Sequence, residues 1–381
     1  MNILGFYQDH IKQKLSPSQV ITLQILLYLI SVHKTVQISK LSNYFPLPIK
    51  LESKRKHIQR FLTLKELSIP LFWFPLVKKI IENLFSFSSE LVLILDRTQW
   101  QNTNILMISL AWKKRAIPLY WKFLTHKGAS NLTEQKAVIR PVIRLLKGQK
   151  IILTADREFH SIFLSHWLKK YHKQDIFFVF RQKKSTMIKR GKKYCKVSEL
   201  KVHVGETKLL LNQKITKILK VGTYNLLVYK KQKYRQKYVV EKWYILSNLS
   251  SPEKIKKIYS QRMGIEAMFK DYKTGGYNLE SAKANETRLN NLILLIAISY
   301  TISSFQGQKI KNKGVQEYIL RTNEKGRKER RHSSFFVGLS MIYWAINDDF
   351  IWELVEFLMS LNPHKLLYYQ RGLKAMNKVV N

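Results

Sequence analysis

The spacing of apolar residues changes character several times along the chain, and each change predicts a different element. Over residues 1–88 the spacing is helical. Ser16–Pro17 opens a helix, with Ser at the cap and Pro just inside, ahead of the apolar run Val20–Val32. From Glu90 the pattern turns to strands. Leu91–Leu95 (LVLIL) is a short continuous apolar run, the mark of a strand buried on both faces, and it ends at Asp96. Asn104–Ala111 and Ala116–Phe123 follow as strands, with Lys113–Arg115 as the turn between them, so the three form an antiparallel meander. Asn131–Leu146 reads as a helix, Ile151–Thr154 as a strand ending at Ala155–Asp156, His160–Tyr171 as a helix and Ile176–Phe180 (IFFVF) as a fifth strand. This order gives an α/β fold: a mixed sheet flanked by helices, with an antiparallel edge.

Residues 181–242 differ again. They hold 19 Lys and Arg against three acids, Glu199, Glu206 and Glu241. Val202–Leu211 and Tyr224–Tyr244 alternate as strands, with Lys231–Arg235 as a hairpin tip, so this stretch is expected to be an inserted β-rich subdomain. Ser251–Pro252 then opens a helix that runs to about Lys273 and stops at Gly275–Gly276. Leu289–Ser304 is an apolar helix expected to pack on the sheet, 307–333 a charged linker or arm, and 334–369 aromatic-rich helix. The expected layout is a helical region 1–88, a central domain 89–306 interrupted by 181–242, and a basic linker and helical region 307–381.

Charge sharpens the picture. Of 381 residues, 67 are Lys or Arg and 25 are Asp or Glu, a formal net charge of +42. Self-repulsion on that scale disfavours a compact chain, so a polyanionic partner is expected, nucleic acid first and an anionic membrane surface second. Ser53–Leu64 (SKRKHIQRFLTL) is then either the solvated basic face of a small bundle or a DNA-contacting helix, and the charge tips it to the second. Apolar residues make up 45%, enough for real cores, which excludes a disordered basic tail. One cysteine excludes a disulfide scaffold and a Cys-based zinc module. The apolar runs Val20–Val32 and Leu292–Ile302 fall short of a membrane span, and Met1–Ile30 lacks the marks of a signal peptide, so a cytoplasmic location is expected.

Two features carry chemistry. Asp96 and Asp156 each follow an apolar strand, and two such strands side by side would bring both carboxylates to one sheet edge. Adjacent carboxylates repel unless they share a proton or a cation, and Mg²⁺ suits their hard oxygens. Taken singly, either is equally a turn or cap residue. The second feature is the helix after Pro252. Tyr259, Arg262, Glu266 and Lys273 recur at spacings of 3, 4 and 7 and share one face. Such a stripe is also what a solvated salt-bridge face looks like.

The segment YSQRMGIEAMFKDYKTGG resembles the Tyr-x₂-Arg-x₃-Glu-x₆-Lys signature of DDE transposases of bacterial insertion sequences, family four. The same group carries an apolar strand ending in Asp and a second one followed by basic-x-aromatic, which here reads TADREF (154–159). The resemblance spans about residues 85–290. It implies an RNase H-like fold with a strand-rich insertion ahead of the Glu helix. It also implies that Asp96, Asp156 and Glu266 are the catalytic triad holding two Mg²⁺ ions (Mn²⁺ substituting) for in-line phosphoryl transfer on DNA. Tyr259, Arg262 and Lys273 would hold phosphates of the transposon end. Trp243 would be a stacking platform for a flipped base, or else a core residue. Arg181 and Lys183 would line the DNA path, or else a solvated turn.

One departure is Met263, where some hairpin-forming relatives carry a second Trp after the motif Arg. The implied function is cut-and-paste transposition by a homodimer bridging double-stranded DNA ends. Its rivals are an inactive end-binding protein and a structure-specific nuclease on the same fold. The ten histidines show no ligand pattern, and no Walker-type loop supports nucleotide use.

Overall fold

The computed structural model describes residues 7–85, 90–171, 175–216, 222–232, 240–322, 332–345 and 349–380. Its backbone packs as two compact units: residues 80–268, and residues 1–79 together with 269–381. The sequence reading instead set three regions in succession.

The helical unit begins with α1 (Gln8–Lys14), α2 (Pro17–His33), α3 (Ile38–Tyr44), α4 (Leu51–Phe61) and the start of α5 (Phe74–Leu84). Ser16 caps α2 through a reciprocal bond with Gln19, as Ser16–Pro17 predicts. α2 is apolar nearly all round because it is a core helix, with Leu23, Ile25, Leu26 and Ile30 fully buried.

The second core element comes later in the chain. Beyond the sheet unit described below, the chain returns as a long helix, Glu286–Asn312, which extends past the predicted end at Ser304. By length and composition this helix could cross a membrane, but 78% of its apolar stretch is buried within the protein. Its buried surface packs against α2 and the helix Ser334–Ala345, so it forms the centre of the helical unit. A Cβ at Gly307 would lie 1.8 Å from the Ser334 carbonyl oxygen, and one at Gly338 would lie 1.7 Å from that of Ser303. Glycine at both positions lets these two backbones touch. Tyr7 donates to Thr301 (2.9 Å), and the hydroxyls of Ser31 and Ser299 share a hydrogen bond (2.7 Å), so these four buried polar groups are paired. Of the linker expected at 307–333, residues 307–312 belong to the long helix and 323–331 lie outside the described residues.

The sheet unit contains β1 (Leu91–Trp100), β2 (Thr103–Trp112), β3 (Arg115–Phe123), α6 (Leu132–Leu145), β4 (Ile151–Ala155), α7 (Ile162–Lys169) and β5 (Ile176–Arg181). It continues with β6 (Met187–Arg190), β7 (Lys193–Lys196), β8 (Thr207–Lys214), β9 (Thr223–Gln232), β10 (Val240–Ser247), α8 (Pro252–Gln261) and the start of α9 (Met263–Lys270). Eight strands form one sheet in the order β3-β2-β1-β4-β5-β10-β9-β8. β1, β2 and β3 are the predicted antiparallel meander, and β1, β4 and β5 run parallel.

The basic stretch after β5 differs from expectation. β10 pairs antiparallel with β5, so β8, β9 and β10 continue the main sheet, and only β6 and β7 form a separate ribbon. The expected hairpin tip falls largely on 233–239, outside the described residues. In the helical unit the chain then runs through α10 (Glu286–Asn312), α11 (Ser334–Ala345), α12 (Asp349–Ser360) and α13 (Leu366–Val380).

Candidate active site

Strand register brings the two aspartates together. β1 and β4 are parallel neighbours with Val92 opposite Ile152, Ile94 opposite Thr154 and Leu95 opposite Ala155. One step further places Asp96 beside Asp156, on strands about 4.8 Å apart. Side chains alternate between faces, and Ile152 packs with Ile255, Ile258 and Tyr259 of α8. Positions of the same parity, Asp96 and Asp156, therefore belong to the face that α8 covers.

Asp156 ends its strand and caps the turn Arg157–Phe159, its Oδ1 accepting the Glu158 N–H at 2.7 Å. Asp96 does not end its strand, contrary to expectation. β1 runs on to Trp100 because β2 is long enough to pair with it throughout, and Asp96 lies opposite Met107.

The third carboxylate arrives on α9. The helix expected to run unbroken from Pro252 to Lys273 is in three pieces. It tightens at Arg262, whose N–H bonds the Tyr259 carbonyl at 3.2 Å, and it widens into a π-turn over Asp271–Gly275. A Cβ at Gly264 would lie 2.5 Å from the Arg115 carbonyl oxygen, so α9 rests its backbone directly on the start of β3. Glu266 is two residues beyond that contact.

Arg262 ties the carboxylates together. Its NH2 sits 2.6 Å from Glu266 Oε1 and its NH1 3.4 Å from Asp96 Oδ2. The guanidinium side chain is 11% exposed and that of Glu266 43%. Burial pushes the Asp96 carboxyl up to about 7. The Arg97 N–H bond and the Arg262 charge oppose that shift, while the charges of Asp156 and Glu266 add to it. Asp96 therefore feels the charge of both other acids. Among the described residues, however, no three His, Cys, Asp or Glu side chains are drawn close enough to hold a metal ion. Both observations fit one arrangement, in which the acids share a locality and Arg262 supplies the positive charge between two of them. Their hard oxygens suit Mg²⁺ or Mn²⁺, and a buried carboxyl crowded by two others is a place where added cationic charge is favourable. The donor set therefore fits the implied ions.

The other predicted residues divide. Tyr259 is buried, and its phenol receives the Arg181 NH1 at 3.4 Å. Burial raises the Tyr259 pKa, against the pull of Arg181 and Arg262. Arg181 pairs with Glu241 at 2.7 Å. Lys183 is exposed just beyond β5. Lys273, in the π-turn and within the helical unit, pairs with Glu280 at 3.2 Å.

Trp243 takes the second of the two readings left open for it, that of a core residue. It is 7% exposed and packs with Ile245, Leu227 and Ile255. A base stacks only on an open face, and this ring is covered by Tyr259 (4.7 Å), Tyr229 (5.6 Å) and the Lys231 ammonium (5.2 Å).

Sequence reasoning missed Gly264 and the pair Arg97–Glu158. The only signal for the pair was adjacency, since each stands one or two residues after a predicted aspartate.

A sheet ordered β3-β2-β1-β4-β5, antiparallel on one side of β1 and parallel on the other, with acids at neighbouring positions of β1 and β4, defines an RNase H-like fold. Residues 124–302 match the family model of the transposase DDE domain. The match includes Asp156 and Glu266; Asp96 lies upstream of it and joins them through strand register. A solved structure described as a piggyBac transposase synaptic complex with hairpin DNA is similar over 90% of this chain and 76% of its own, at 13% identity and a TM-score of 0.46. No curated protein matches the chain.

Proposed function

We propose that the protein is a DNA transposase of the insertion-sequence type, family four, that moves its element by cut-and-paste. The observation that carries this reading is the parallel register of β1 and β4, whose last pair, Leu95 with Ala155, directly precedes Asp96 and Asp156, with Glu266 joined to Asp96 through Arg262, in a chain whose residues 124–302 match the transposase DDE domain. The net charge of +42 suits a double-stranded DNA partner.

In this reading Asp96, Asp156 and Glu266 hold two Mg²⁺ ions, with Mn²⁺ able to substitute. When bound, these ions activate the attacking oxygen and stabilise the leaving 3′-oxygen. The chain's own residues do the rest. The parallel strands hold two carboxylates at a fixed spacing, and α9 brings the third. Arg262 neutralises the acids and is within reach to exchange that role for a DNA phosphate. Tyr259, Lys273, Arg181 and Lys183 hold or line the DNA backbone. Water and then the freed 3′-hydroxyl act as nucleophiles at the inverted repeats and at the target, with a hairpin intermediate. A homodimer bridges the two ends, and the reaction belongs in the cytoplasm of a bacterium.

The test is cleavage of DNA carrying the element's own inverted repeats, with Mg²⁺ or Mn²⁺. Asp96→Asn, Asp156→Asn and Glu266→Gln should each lose cleavage by a factor of at least about 10³ while retaining DNA binding. End binding without any wild-type cleavage would identify an inactive end-binder instead. Cutting of branched DNA without strand-transfer products would identify a nuclease.

A further inference from the structure

We propose that Arg97 and Glu158 are a positioning pair that sets the spacing of Asp96 and Asp156, with Ser130 as its anchor. The proposal rests on the reading of those aspartates as metal ligands.

Four residues form one chain of hydrogen bonds. The Arg97 N–H donates to Asp96 Oδ1 at 2.8 Å, and the Glu158 N–H donates to Asp156 Oδ1 at 2.7 Å. The side chains of the same two residues then meet, Arg97 Nε lying 3.2 Å from Glu158 Oε1 and 3.0 Å from Oε2. Each member therefore holds one aspartate with its backbone and the other member with its side chain. Alternation along β1 turns Arg97 to the sheet face opposite Asp96, so the ion pair sits behind the site.

The pair is built to be rigid. Its side chains are only 19% and 15% exposed. Glu158 Oε1 also accepts the Ser130 N–H and hydroxyl, both at 2.9 Å. Arg97 NH1 donates to Gln99 Oε1 and Asn104 Oδ1, both at 3.0 Å. Asn104 in turn binds the carbonyls of His126 (2.7 Å) and Gly128 (3.1 Å), which fastens the loop between β3 and α6 to the same network. A partly buried ion pair adds little net stability over an apolar pair of the same size. What it supplies is fixed geometry, and the geometry fixed here is that of the two aspartates that would hold the ions, the role of outer-shell partners in metal sites.

The test is Mn²⁺ binding to the metal-free full-length protein, read by the electron paramagnetic resonance of free Mn²⁺. Wild type should bind and Asp156→Asn should not. Glu158→Gln should bind about 10–100-fold more weakly. Ser130→Ala, a milder change that keeps the ion pair, should bind a few-fold more weakly and so covers the case in which Glu158→Gln fails to fold. DNA binding should be unchanged in both, and raising the Mn²⁺ concentration should restore cleavage to Glu158→Gln but not to Asp156→Asn. If wild type binds, Asp156→Asn does not, and a folded Glu158→Gln or Ser130→Ala binds as wild type does, the positioning role is overturned while the metal site stands. If wild type and Asp156→Asn bind alike, the metal-site reading fails and the positioning role with it.

Discussion

Asp96 carries the heaviest electrostatic burden in the sheet unit: it is buried, it has two acids for neighbours, and its relief comes from one guanidinium and one N–H. A carboxyl raised to about 7 keeps its proton in the folded state between about pH 4 and 7, where the unfolded chain has lost it. Stability from this group is therefore present at low pH and is lost as pH rises towards 7. Asp96→Asn removes that loss. Without metal, the variant should gain on wild type by about 2–4 kcal/mol between pH 5 and pH 8, read as the difference in Tm at the two pH values. An equal difference at both would contradict the burial of Asp96. Arg262→Gln removes the shared counter-charge, and the Asp96 carboxyl should then titrate higher still. DNA affinity should fall, and the slope of log K against log salt should become shallower by about 1 if Arg262 contacts a phosphate; an unchanged slope would exclude that contact.

At this scale the sequence showed which acids to watch, because an apolar run followed by Asp is visible in one dimension. It did not show which face a side chain takes once a helix covers the sheet. Trp243 begins an apolar strand, and only the packing of α8 turns its ring into a core contact with Tyr259. The same packing buries Tyr259, to which the resemblance assigned a phosphate.

The elements that carry the site were legible in order and type. The meander and the capped helix after Ser251 follow from apolar runs and cap residues, while the parallel pairing of β1 with β4 comes from the topology. Their ends were less legible, because pairing decides them. β1 outlasts its apolar run since β2 offers partners as far as Thr103 opposite Trp100. The basic strands looked like a separate subdomain because their charge sets them apart from the rest of the chain, and only the pairing of β10 with β5 shows that they extend the sheet. The break in the Glu266 helix was illegible in advance, since nothing in the sequence says that Gly264 meets the Arg115 carbonyl. Gly264→Ala tests what that contact does. The added methyl must push α9 off β3, at a cost of about 1–3 kcal/mol, and should lower cleavage more than it lowers DNA binding. Wild-type Tm and cleavage would show that the approach has slack.

Across the molecule, charge and fold describe different things. The fold is held by apolar cores that the composition supports: α2 and α10 in the helical unit, and the sheet with its covering helices in the other. The charge of +42 does not help either core to form, and its use lies in meeting a polyanion. The three acids lie 60 and then 110 residues apart (156 − 96 and 266 − 156), and strand register with one helix contact draws them into one electrostatic neighbourhood. No local pattern could reveal that meeting; only the topology does.

The most direct measurement of this account is calorimetric titration of Mg²⁺ into the wild-type protein on end DNA, beside Asp96→Asn, Asp156→Asn and Glu266→Gln. The account predicts a saturable heat of binding in wild type that is lost or strongly weakened in each single variant. Equal binding in all four proteins would contradict it.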